Sequence, residues 1–419
     1  MLKYVTPIVL AAVLAACGSD GDNTVRPTPT PTPTPVPTPV PLAGELVSYV
    51  RTWPLGSTRA DMDKGVYWRA EDIKGDRISR LNIAFGLIRN GTEVYIRELE
   101  PQPTSDGTGT IAPFSNMWDE VAKLQAKYPY LKINFSIGGW GADGFSDMAL
   151  TKESRAKFIE NVLAVVRERK LSGVDIDWEY PVGPPWGGSE IKVRPEDREN
   201  YPLLLEEMKA ALNQLSAETK QSYALSTAVP VANWFFQAND IPRVAKAVDF
   251  LKVMAYDMYG GWSPNTGHHA NLYPNPADPA AGGGRSVSQA MQAYLNLGVP
   301  PEKLLMGVAF YGRAWRGVTP TNNGLYQKFT SAAFPDGVTW VDLKRDFIDK
   351  NGYVRYWDDV AKAPYLFNGD TFITYEDAEG LRYKADFMKE KQLGGIMIWE
   401  HAHDMDGELI TQLNQYMRK

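Results

Sequence analysis

Ser172-Gly-Val-Asp-Ile-Asp-Trp-Glu-Tyr-Pro181 sets three carboxylates, Asp175, Asp177 and Glu179, at alternate positions. A strand sends alternate side chains to one face, so the acids share a face while Val174, Ile176 and Trp178 take the other. The flanks predict a buried strand, being β-branched and aromatic with Gly173 before and Pro181 after. Acids roughly 7 Å apart along a buried stripe contribute nothing to packing. They raise one another's pKa, so at least one is expected to hold a proton near neutral pH. A carboxylic acid kept protonated beside ionised ones is a proton donor for breaking an acetal or an amide. Two plainer readings compete. One is a solvated face, which Ile176 and Trp178 on either side of Asp177 argue against; the other is a hard-cation site built of oxygen ligands.

Working outward, seven further strand-like runs appear, beginning with Leu46–Val50, Leu81–Phe85, Lys132–Ser136 and Tyr223–Val229. Leu251–Tyr256, Leu304–Phe310 and Gly395–Trp399 follow, and with Gly173–Glu179 they make eight. Helical stretches separate them; Lys152–Lys170 carries Phe158, Val162, Val165 and Val166 on one stripe. Eight buried strands alternating with helices predict an α/β fold, a (β/α)8 TIM barrel, with the active site at the C-terminal strand ends. The interval before the last strand is too long for one helix. Residues 315–372 are therefore read as a small inserted α+β domain between the seventh and eighth strands, inside a catalytic body spanning 45–419.

The chain has 419 residues and a net charge of −6 with no basic accumulation, which argues against a nucleic-acid partner. Twelve Trp and 21 Tyr exceed what a core needs, and flat rings suit the apolar faces of sugars. At the N-terminus Lys3 precedes the apolar run Ile8–Leu14, too short to span a membrane as a folded helix. It ends in Leu14-Ala-Ala-Cys17, which resembles the lipobox of bacterial lipoproteins. On that resemblance residues 1–17 are a signal peptide and Cys17 is the lipidation site and membrane anchor, placing the protein in the cell envelope, at the outer membrane or cell surface. A secretory signal with an incidental Cys is the alternative. Cys17 is also the single cysteine, so no intrachain disulfide forms. Residues 18–44 form a linker in which proline alternates with Thr and Val from Pro27 to Pro41, an extended spacer of about 45 Å.

The body resembles glycoside hydrolase family 18, the chitinases. Gly173–Pro181 is similar to the family's Asp-Gly-x-Asp-x-Asp-x-Glu signature, and Ser136-Ile-Gly-Gly-Trp140 to its third-strand motif. Met254-Ala-Tyr-Asp257, Tyr311-Gly-Arg313 and Gly394–Trp399 resemble the sixth, seventh and eighth. Ser172 departs from the pattern, standing where the family often has its first Asp, a residue expected deeper in the barrel in support of the others.

The resemblance implies a retaining, substrate-assisted chitinase acting on chitin or chitooligosaccharides, endo or exo, through an oxazolinium intermediate. Glu179 would be the acid, Asp177 would orient the acetamido group, Asp175 would share a proton behind it, and Tyr256 would donate to the acetamido carbonyl. Ser136 would bond near Asp175, and Asp257 near the reacting sugar, with Trp399 as its floor. Met254, Tyr311 and Arg313 would line the cleft, and Trp140 and Trp262 would stack with sugars on the leaving-group side. No cofactor or metal is expected, and the chain is read as a monomer. His401-Ala-His403 invites a metal reading, but Asp404 and Asp406 make a polar loop equally ordinary. Alternatives are a non-enzymatic chitin binder, an endo-β-N-acetylglucosaminidase acting on N-glycans, and a metal-dependent hydrolase.

Overall fold

In a computed structural model, which describes residues 40–183, 191–280 and 285–419, the fourth strand is Gly173–Asp177, buried throughout. Val174, Ile176 and Trp178 join the large apolar layer with Phe158, Val162 and Val166 of the helix Lys152–Glu168. Asp175 and Asp177 face the other way, into the barrel, so the period-2 pattern sorts charge from grease across one strand. That helix begins at Thr151, whose side chain takes the Ser154 N–H while Ser154 answers to the Thr151 N–H, closing a capping box.

Eight parallel strands close on themselves. In chain order they are Glu45–Arg51, Arg80–Arg89, Lys132–Gly138, Gly173–Asp177, Ala224–Val229, Phe250–Val253, Leu304–Ala309 and Gly395–Trp399. Each pairs with the next, and the first pairs with both the second and the eighth, so the barrel has no free edge. This is the (β/α)8 barrel. The fourth and sixth strands stop earlier than the sequence suggests, at Asp177 and Val253, so Glu179 and Tyr256 stand on the loops just beyond.

One residue, Phe310, separates the seventh barrel strand from an antiparallel five-stranded sheet. Its spatial order is Ser331–Thr339, Tyr311–Arg316, Phe372–Thr374, Ala363–Phe367, Val354–Asp358. This sheet therefore begins four residues before 315 and ends two after 372. Trp315, Phe367 and Phe372 pack around Tyr259 from the loop after the sixth barrel strand.

Cys17, the apolar leader and most of the linker lie outside the described residues. At Ala43 the chain already joins the barrel, its N–H donating to Met417 O at 2.7 Å. Among the described residues no helix is long and apolar enough to cross a membrane.

Candidate active site

The acids rise as a ladder along the inside of the fourth strand. At its foot Asp175 is fully buried and takes four donors: Tyr49 and Ser136 on Oδ2, each at 2.7 Å, and Ser226 (2.6 Å) and Lys252 (3.0 Å) on Oδ1. Burial pushes its pKa up, but Lys252 and the three hydroxyls outweigh that and hold it below the usual carboxylate range. Each Asp175 oxygen thus receives two hydrogen bonds.

Above it, Asp177 is buried and its Oδ1 has no hydrogen-bond partner. Burial, then the charges of Glu179 and Asp175, drive its pKa well above the ordinary value. Glu179 is half-buried at the ladder's top. Burial raises it to about 7, although the Tyr180 hydroxyl bonds to it and pulls the other way. Two adjacent acids are thus pushed toward the protonated form above a carboxylate pushed toward the ionised one.

The loop after the sixth strand and the inserted sheet supply the facing wall. Arg313, on the first strand of the inserted sheet, grips Asp257 with Nε and Nη2 at 2.7 and 2.6 Å. His269 Nδ1 lies 3.7 Å from the same carboxylate. Burial opposes ionisation of Asp257, but His269 and Arg313 prevail and hold its pKa well below the usual range. Asp257 sits at φ +55°, which turns the chain out of the barrel directly after Tyr256. The Tyr256 and Tyr311 rings meet edge-on at 6.2 Å, and Met254 packs in the small lumenal cluster beside them.

Trp399 ends the eighth strand and forms an aromatic floor. Phe85 stacks on it at 5.6 Å and 18°, with Tyr49 at 5.6 Å and Trp53 at 6.2 Å. Gly138 and Gly139 let the third strand turn tightly beside this panel. A Cβ at Gly138 would lie 2.0 Å from Asp177 O, and one at Gly139 would lie 2.5 Å from the Phe85 ring. The turn delivers Trp140, 80% exposed, with its ring 6.4 Å from Tyr180; Trp262 is 65% exposed with Arg313 over its face. From Trp399, Phe85 and Trp53 a groove of about 1000 Å³ runs past Arg51, Glu98 and Tyr67.

Of the His pair considered for metal, His401 Nε2 takes the Lys74 N–H at 3.3 Å and His403 Nε2 lies 2.7 Å from Arg51, which also pairs with the buried Glu400. His268 pairs with Asp358 at 3.1 Å. Ser172 is not in the ladder. It precedes the strand, partly exposed, on the parity of Val174 and Ile176 rather than Asp175, so the expectation that it lies deeper behind the acids does not hold.

The sequence model described as Glycosyl hydrolases family 18 matches residues 46–405. Chitinase A1 of Niallia circulans is 37% identical over 363 residues, covering 83% of this chain and 50% of its own. The chain thus spans about half the length of that relative. Among solved structures, chitinase ChiW of Paenibacillus sp. str. FPU-7 superposes with a TM-score of 0.78 at 36% identity, over 90% of this chain and 43% of ChiW. A family 18 N-acetylglucosaminidase from Paenibacillus barengoltzii gives 0.75 at 33% identity, over 89% and 99%.

Proposed function

For a chain that belongs to the family 18 glycosyl hydrolases, we propose a chitinase that cleaves β-1,4-linked N-acetylglucosamine chains with retention, the substrate's own acetamido group serving as nucleophile. The observation that carries this reading is the ladder itself, Asp177 buried with a free Oδ1 beneath Glu179 at the mouth of the barrel, both pushed toward the protonated form. Glu179, with a pKa near 7, gives its proton to the glycosidic oxygen. The acetamido carbonyl then closes on the anomeric carbon, forming the C1–O bond as the leaving oxygen departs with that proton. Water deprotonated by Glu179 then bonds to the anomeric carbon from the face the leaving group left, breaking the bond to the acetamido oxygen and restoring the acetamide and the acid.

The other described carboxylates around Glu179 are each engaged otherwise than as a nucleophile. Asp175 takes four donors, Asp177 is buried and pushed toward its protonated form, and Asp257 is clamped by Arg313. An intramolecular nucleophile is favoured in entropy and removes the need for another carboxylate at the anomeric carbon. The free Asp177 Oδ1 suits the acetamido N–H, Tyr256 its carbonyl, and Trp399 the sugar's apolar face. Trp140 and Trp262 suit sugars on the leaving side, and the groove along Trp53 the rest of the chain.

Anchoring of the body to the cell envelope through a lipid on Cys17, with the Pro/Thr stretch as spacer, belongs to the same proposal. Release of single sugar units is the second reading, favoured by the name of the P. barengoltzii neighbour.

The test is hydrolysis of chitotetraose by the full chain in EDTA, with product anomers followed by NMR. Shorter oligomers with β-anomers formed first support the proposal, and α-products would exclude the oxazolinium route. Single N-acetylglucosamine as the first product would select the second reading. Turnover that EDTA abolishes would require a metal instead.

A further inference from the structure

The interior of a (β/α)8 barrel is ordinarily filled by branched apolar side chains. Here the sixth strand sends Leu251 and Val253 to the helices and Lys252 into the lumen, with no part of it exposed. An ammonium taken out of water is strongly disfavoured unless it is paired. Lys252 has its pair in Asp175, 3.0 Å away, and the face of the Tyr49 ring 4.8 Å from its nitrogen.

The four groups on Asp175 are not equivalent. The hydroxyls of Tyr49, Ser136 and Ser226 can reverse and accept a proton from a neutral Asp175. Lys252 has protons to give and no lone pair while it is charged. It is the one charged member of the set, and its cation favours the ionised Asp175 whichever way the hydroxyls point.

We propose that Lys252 is a positioning residue for the reaction: by pairing with Asp175 it keeps the foot of the ladder ionised, so that the exchangeable proton stays on the Asp177–Glu179 pair, within reach of the glycosidic oxygen. The proposal deepens the glycosidase reading above and rests on it for the role of that proton.

The surroundings leave this task to Lys252. From the first strand Tyr49 faces it, and from the second Arg80, whose cation is drawn to Glu45 at 3.7 Å and donates to Asn134 Oδ1 at 3.2 Å. Ser136 comes from the third strand, Asp175 and Asp177 from the fourth, and Ser226 from the fifth. Tyr256 follows the sixth, while the seventh and eighth contribute apolar Leu305 and Met397. Arg80 is the second cation, but the described hydrogen bonds to Asp175 come from Lys252 and the three hydroxyls.

The sign follows from charge. A cation beside the ladder lowers the pKa values of its acids, so its removal raises them and both limbs of the rate profile move to higher pH. Chitotetraose kcat against pH would be measured for the full chain as wild type, Lys252→Met, Asp175→Asn and the double variant. Lys252→Met is expected to raise the acid limb by about one pH unit or more. Asp175→Asn leaves an uncompensated cation and lowers it. The double variant, having lost both charges, returns close to wild type. A kcat depressed evenly across pH, with the limbs in place, would assign Lys252 a packing role and overturn the proposal.

A second measurement needs neither a variant nor turnover. In wild-type protein carrying ¹³C-labelled carboxyls, the Asp175 signal should stay at its ionised shift from pH 8 down to about 4, below which an ordinary Asp protonates. A protonation step for Asp175 above about pH 5 overturns the inference even if the enzyme proves to have another substrate. Failure to cleave chitotetraose while Asp175 stays ionised would instead count against the glycosidase reading alone.

Discussion

The centre of the cleft and its rim are built on opposite principles. At the centre Tyr311, Asp177 and the ladder below are buried, every ring has an aromatic neighbour, and carboxylates are either clamped or pushed toward the protonated form. At the rim Trp140 and Trp262 stand 80% and 65% exposed. Chemistry requires groups whose position and protonation are set before the substrate arrives, and that setting costs stability. Binding a polymer needs apolar area and tolerates looseness.

The comparison breaks first at Glu179. Glu179→Gln should cost at least ~10²-fold in kcat for chitotetraose while leaving KM nearly unchanged. The same change should stabilise the fold. Glu179 titrates near 7 in the folded chain against 4.5 ordinarily, so the protein loses stability as pH rises through that window. With its half-exposed position discounted, Gln should recover about 1–2 kcal/mol at pH 8 and nothing at pH 4, read from thermal melts. Equal melting of the two proteins at pH 8 would mean that the centre stores no such cost.

Arg313→Met is next. It leaves Asp257 without its bidentate partner, and a drop of about tenfold in kcat with a melting temperature lower by several degrees is expected. An unchanged kcat would move Asp257 from the centre to the scaffold. Tyr180→Phe removes the hydrogen bond that pulls Glu179 down, so the alkaline limb should shift to higher pH by a few tenths of a unit to about one. A shift to lower pH would reverse the assignment of that bond. Smallest, Trp262→Ala and Trp140→Ala should each raise KM for long oligomers by about 3–10-fold with kcat little altered. A kcat loss as large as that of Arg313→Met would erase the distinction between rim and centre.

The fold was legible because one strand carries the pattern in the open. Val174, Ile176 and Trp178 against Asp175, Asp177 and Glu179 is a period-2 signal that survives without its neighbours, and the other seven runs are apolar enough to stand out. The foot of the ladder was not legible. Lys252 sits in a four-residue strand, Phe250–Val253, where a polar residue between two apolar ones reads as a solvent-facing position. Only closure of the barrel converts that outward parity into a lumenal one. Tyr49, Ser226 and Lys252 meet at Asp175 from three strands far apart in sequence, which no local pattern encodes. The same holds for Arg51 and Glu400, and for the Trp53–Phe85–Trp399 panel. Ser172 shows the opposite error, since its place in a motif suggested a role that its parity denies.

The single residue between the seventh barrel strand and the inserted sheet has a mechanical consequence. Phe310 donates its N–H to Trp399 O at 2.9 Å and accepts that of Trp340 at 3.0 Å, so this one-residue joint is fastened on both sides. Tyr311 and Arg313 follow directly, already paired in the sheet. A wall mounted this way has no hinge to swing on. Grafting a different insert at this joint would exchange part of the sugar pocket together with the wall, because the two are one piece of chain.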